Sequence, residues 1–190
     1  MISPENWPAY DLKAPPDYIF ALGAISVNYA RFEYAFVNMF RLITGANWKF
    51  AGFLAPRITN ETKLGLMGQM RHEDWPKEIL ERSDHFVNGA AILIENRNLL
   101  MHSNLEPTED GKFVLTKPKR KEGYMLLCEI RGDQLRRVAD DLEAFRAFGH
   151  LLSVHISFKF GGGTMQSLLP DLPQKPISLG YIPMSDQDQE

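Results

Sequence analysis

Apolar side chains recur at alternating steps of three and four from Leu22 through Ile25, Tyr29, Phe32, Phe36, Met39 and Ile43. That spacing is the stripe of an amphipathic helix in a bundle. It predicts a first long helix over about residues 17–44, opened after Pro15 and Pro16. A second register, Ile79, Ser83, Phe86, Ala90, Leu93, Arg97 and Leu100, follows the start signal Asp74-Trp75-Pro76 and predicts another. Leu135, Val138, Leu142, Phe145, Gly149, Leu152 and Ile156 give a third, running to about Phe158 with Asp133 as its candidate cap. Between the first two lie a short helical segment, Asn47 to Phe53, and a helix from a Thr59 or Asn60 cap to about Arg71, which Gly65 and Gly68 weaken. Lys112 to Lys117 and Tyr124 to Ile130 read as a hairpin across the turn Pro118 to Gly123.

Two charged residues break these stripes. Glu33 falls in or beside the first, and Arg97 takes an inward position of the second. Burying either alone is costly, so a contact between them is expected. Leu80, Val87, Ile94 and Met101 repeat every seven residues off the inward stripe of the same helix. They call for a second apolar partner, and a two-fold dimer is the expected one.

A chain of 190 residues suits one well-filled core, and 44% hydrophobic with 24% charged residues is ordinary for a globular protein. The division expected is an extended lead-in over 1–16, a helical domain over 17–158 and a Gly/Pro-rich C-terminal arm over 159–190. A net charge of -3 gives no overall nucleic-acid footprint, so any RNA contact must be local. The single cysteine, Cys128, cannot form an internal disulfide and suits a reducing compartment. No signal peptide or membrane span is visible, and the expected location is cytoplasmic without membrane partners. His72-Glu73-Asp74 and Asp84-His85 carry metal-donor side chains but lack the spacing of a zinc-protease helix, so no metal is expected. No glycine-rich phosphate loop or nucleophile elbow is present.

The segment Arg97-Asn98-Leu99-Leu100-Met101-His102 sets an arginine, an amide and an imidazole within about one and a half turns near a helix end. Arginine grips phosphate oxygens with a planar fork, and histidine moves protons near neutral pH. Residues five apart stand at about 140° around a helix, so Arg97 and His102 converge only if the arginine wraps or the last turn loosens. Asn98 and His102, four apart, share a face. Lys117, Lys119, Arg120 and Lys121 could track an RNA backbone, or serve as a solvated hairpin tip that discourages edge pairing.

The Arg97 to His102 pattern resembles the HEPN superfamily signature: an arginine, a polar residue and then a histidine several positions on, near the end of a helix in a helical bundle. Phe32-Glu33-Tyr34 is similar to the acidic position of many HEPN proteins, and the order of helices, hairpin and final helix is similar over roughly residues 17–158. The resemblance implies an all-α fold, a four- to five-helix bundle with a small β-hairpin before the last long helix. It also implies a homodimer whose arginines and histidines face a shared cleft and cut RNA without metal or cofactor, the neighbouring 2′-hydroxyl attacking the phosphate. Carried onto this chain, His102 is the general acid or base, Arg97 the stabiliser of the phosphorane, Asn98 a polar orienter and Glu33 the residue holding Arg97. Lys119, Arg120 and Lys121 are the RNA-binding candidates. Membership of a toxin or defence system would add an antitoxin or other protein partner. Asn104 stands where some HEPN proteins carry a nucleotide-accepting tyrosine, so that mode of regulation is not implied. The alternative is a non-catalytic dimeric module in which Glu33, Arg97 and His102 maintain an interface or bind a nucleotide or partner protein.

Overall fold

The first stripe folds as helix α1 (Pro16–Ile43), and all of its positions except half-buried Leu22 are buried. The protein is described by a computed structural model covering residues 14–70, 72, 74–118, 125–161 and 168–180. Helix α1 stops at Gly45, whose φ of 65° lies in the left-handed region that favours glycine. There Gly45 N donates to Leu42 O and Ala46 N to Arg41 O, the paired closure of a Schellman motif. Short α2 (Trp48–Leu54) starts at an Asn47 cap that accepts from Phe50 N, and α3 (Asn60–Gln69) at a Thr59 cap that accepts from Thr62 N. Its expected end at Arg71 lies outside the described residues. Helix α4 (Lys77–Met101) buries the whole second register except Arg97, which is half-buried.

After α4 the chain forms β1 (Asn104–Pro107), β2 (Phe113–Pro118) and β3 (Met125–Ile130), an antiparallel sheet in sequence order. The expected hairpin is therefore a three-stranded sheet. Strand β1 carries little apolar signal because its residues are exposed or half-buried, and pairing with β2 is what orders it. The turn that carries Lys119, Arg120 and Lys121 lies outside the described residues.

Helix α5 (Gly132–Phe160) buries every position of the third stripe. Asp133 does not cap it. The helix begins at Gly132 with Arg131 at the cap, Gln134 Oε1 accepts from Arg131 N at 2.9 Å, and Asp133, already in the first turn, pairs with Arg131 at 3.0 Å. Helices α4 and α5 run antiparallel, with Gly89 opposite Phe145, Phe86 opposite Gly149 and Glu78 opposite Lys159. The described residues are thus mostly helical with one small sheet, and no described helix is long and apolar enough to cross a membrane.

The α4 face expected at a dimer interface is largely met from within the chain. Ile94 is buried, Val87 and Met101 pack on the core, and Leu80 and Val87 share a small cavity with Ile43, Met67 and Trp75. Helix α3, too weakly patterned to be assigned that role from sequence, supplies the second partner. Large exposed apolar groups lie elsewhere: Phe20 at 80%, Val27 at 53% and Tyr34 at 69% repeat every seven residues along α1.

The C-terminal arm is part of the fold. Residues 168–180 form no helix or strand, yet Leu179 lies in the hydrophobic core and Pro170 and Pro176 are buried.

Candidate functional site

Arg97 sits one turn before the end of α4, where the helix still bonds regularly and His102 N donates to Asn98 O at 3.1 Å. Its guanidinium lies 4.9 Å from the centre of the Tyr29 ring on α1, and Nη1 donates to Asn98 Oδ1 at 3.2 Å. Cation–π stacking of this kind, half removed from water, contributes about 0.5–2 kcal/mol. His102 is exposed and takes the capping position with φ of -119° and ψ of 13°, so the chain leaves helical geometry at this residue and not before. Asn98 is the joint between the two: its side chain holds Arg97 and its carbonyl holds the His102 backbone. The imidazole makes no hydrogen bond with Arg97 among the described residues, in keeping with their angular separation on the helix.

The direct contact expected between Glu33 and Arg97 is not formed. Glu33 is exposed, and no ion pair joins it to Arg97 among the described residues. Tyr29 stands between them and feels both charges. The reason is geometric: Tyr29 lies one turn before Glu33 on the buried side of α1, so its ring reaches the α4 arginine first.

A relay that the sequence did not disclose starts from that ring. Tyr29 Oη accepts from Asn60 Nδ2 at 2.9 Å, and Asn60 Oδ1 accepts from Lys63 Nζ at 2.8 Å. Lys63 is buried, and burial pushes its ammonium below the ordinary lysine range while Glu33 acts in the opposite sense. Burial, then the Glu33 carboxylate, raise the Tyr29 phenol; Arg97 and the Asn60 bond lower it by less. Glu33, Tyr34, Thr59, Asn60 and Lys63 line a cleft of about 640 Å³ between α1 and α3, joined to Arg97 through Tyr29. Asn60 and Lys63 could be found only from the tertiary structure, since nothing in a polar helix start marks it as a tyrosine's partner.

Tyr29 gives this relay a measurable weight. Tyr29→Phe removes only the bond to Asn60 and should cost about 0.5–1.5 kcal/mol in urea denaturation. Tyr29→Leu, which also removes the ring beneath Arg97, should cost more; equal losses would deny the stacked contact any share. The raised phenol makes its contribution complete below pH 10.0, the ordinary value, and lost as pH rises through the elevated one. Alkaline destabilisation should therefore be weaker in Tyr29→Phe than in wild type.

Among the described residues no group of three His, Cys, Asp or Glu side chains converges on a common point. Comparison with protein-family models, curated proteins and solved structures finds no match for this chain.

Proposed function

We infer that the chain is a HEPN-like, metal-independent endoribonuclease that works as a homodimer in a toxin or defence setting. The observation that carries this reading is the end of α4: an arginine held in place by Tyr29 and Asn98, followed by an exposed histidine at the cap. A fixed guanidinium and, five residues on, a solvent-facing imidazole supply the two groups that stabilise charge on a phosphate while a proton moves.

In the reaction, the 2′-oxygen of the RNA forms a bond to phosphorus and the bond from phosphorus to the 5′-oxygen breaks. The 2′-hydroxyl proton passes to a base and another proton is delivered to the departing 5′-oxygen. His102 serves in one of these transfers and Arg97 holds the charge of the pentacoordinate phosphorane. Asn98 orients the arginine; Glu33 acts at a distance, across Tyr29. The angular separation of Arg97 and His102 within one chain favours a cleft that draws on two subunits. The exposed stripe Phe20, Val27 and Tyr34 is apolar surface of the kind a second copy covers.

The competing reading, a non-catalytic dimeric module, draws support from the same contact, because stacking on Tyr29 is also how an arginine ties two helices together. Incubation with a single-stranded RNA separates the two. Cleavage that persists in excess chelator and leaves 2′,3′-cyclic phosphate and 5′-hydroxyl ends is expected of the nuclease. Products with 3′-hydroxyl ends, or no cleavage at all by the dimeric protein, would leave the binding module as the better account.

A further inference from the structure

The C-terminal segment is held as a ligand is held. Its burial follows a period of three: Pro170, Pro176 and Leu179 are buried and Pro173 is half-buried, while Asp171, Leu172, Gln174, Lys175 and Ser178 face solvent. Three residues per turn is the period of the polyproline II helix, whose backbone makes no internal hydrogen bonds and must find partners outside itself. Here those partners are side chains of the bundle and sheet. Arg82 Nε donates to Pro170 O at 2.8 Å, and His85 Nε2 lies 2.9 Å from Pro173 O. Asn96 uses both ends of its amide, Nδ2 donating to Ile177 O at 2.7 Å and Oδ1 accepting from Leu179 N at 2.9 Å. Asp141 Oδ2 accepts from Ile177 N at 3.1 Å, while its other oxygen pairs with Arg137 at 2.8 Å. Cys128 closes the row by donating to Gly180 O.

Asn96 and Asp141 are 1% and 4% exposed, and this segment supplies backbone partners to both of these buried polar groups. An amide that bonds an acceptor and a donor two residues apart on one strand reads an extended backbone whatever its side chains. The pockets for every third residue then supply selectivity. This division of labour is that of peptide-recognition grooves for proline-rich ligands. Neither the carbonyl-binding side chains nor Asn96 belongs to the Arg97, Asn98 and His102 cluster, so the groove is separate from the site described above.

We propose that the groove formed by α4, α5 and β3 is a receptor for an extended Pro-x-x-Pro-x-x-Pro-x-x-Leu peptide. Residues 170–179 are its resident ligand, and a proline-spaced segment of the same pattern supplied in trans takes the same seat. For such exchange the segment, which has no secondary structure of its own and is fastened mainly by side chain to backbone bonds, must open while the helical core stays folded. A free peptide must compete with a tethered copy whose effective concentration is about millimolar, so exchange is best read when the resident segment has been weakened.

The single cysteine reports on the seat. Cys128 is buried against Gly180, and burial also holds its thiol above the ordinary range, so a docked segment makes it slow to react. The experiment uses full-length protein and a thiol-reactive chromophore under native conditions. Leu179→Asp should accelerate Cys128 labelling at least tenfold while the helical circular dichroism signal is kept. Adding a synthetic peptide of residues 168–180 should restore protection saturably, and the same peptide with the Leu179→Asp change should not. Labelling as slow in the variant as in wild type would overturn the proposal, as would a peptide that gives no protection up to millimolar concentration. Loss of the helical signal in the variant would also overturn it, by showing the segment to be an inseparable part of the core.

Discussion

Gly89→Ala lowers the stability of the protein by about 3 kcal/mol, although alanine is the better helix former by about 1 kcal/mol. A Cβ at Gly89 would lie 2.0 Å from Phe145 Cε1 and 2.3 Å from its Cζ, where carbon atoms need about 3.5 Å or more. The ring has nowhere to go. Phe145 is fully buried and enclosed by His85 at 5.4 Å, Phe148 at 6.1 Å and Phe86 at 6.4 Å between ring centroids. The overlap is met by off-rotamer side chains or by separating α4 from α5, and overpacking of this kind exceeds the propensity gain. Gly149→Ala repeats the effect from the other helix, since its Cβ would lie 2.4 Å from Phe86 Cε2. Gly23→Ala on the exposed side of α1, with nothing within 4 Å, should instead stabilise by about 0.5–1 kcal/mol. Urea denaturation of the three variants checks the contrast. Combining Gly89→Ala with Phe145→Leu should recover part of the loss, and a strictly additive double mutant would show that the ring is not what the glycine accommodates.

The same helix crossing shows how far the sequence could be read. The three stripes were legible because burial on a helix forces a period of 3.6, and Gly149 stood in a register otherwise filled by large apolar residues. That Gly149 and Gly89 serve as reciprocal recesses for Phe86 and Phe145 was not legible, because the relation joins residues 56 to 63 positions apart in the chain and leaves no local trace. Strand β1 leaves no local trace for a similar reason: its residues alternate no apolar face and pair only with β2.

Polar residues were harder still. The stripe puts Arg97 on the inward side of α4, where it is half-buried, and its partner there is an aromatic face in place of the expected carboxylate. A stripe records which positions are buried and not what each one meets. Asn96 reads in sequence as an ordinary helix residue beside a more eye-catching arginine. Its role appears only when the arm, recognisable as extended from Pro170, Pro173 and Pro176, is seen to lie along α4. The period of three in those prolines was present in the sequence and is the one signal that could have suggested a docked face for the arm.

His102→Ala abolishes RNA cleavage while leaving the fold intact, if the proposed nuclease reading holds. The imidazole is exposed and bonds no other side chain among the described residues. Its removal should therefore change stability by no more than about 0.5 kcal/mol. General acid or base catalysis contributes about 10²–10⁴-fold, a loss that takes a slow endonuclease below detection. Arg97→Ala also removes cleavage, but it uncovers Tyr29 and frees Asn98, so a structural cost is mixed with the catalytic one. Arg97→Lys separates these: the charge remains, while the planar fork and the stacking on Tyr29 are lost, and cleavage should fall further than stability does. Both readouts belong on the same preparations, with RNA cleavage in chelator beside urea denaturation and sedimentation. A His102→Ala protein that is folded, dimeric and as active as wild type would remove the histidine from the chemistry. The end of α4 would then be the structural joint of a binding module.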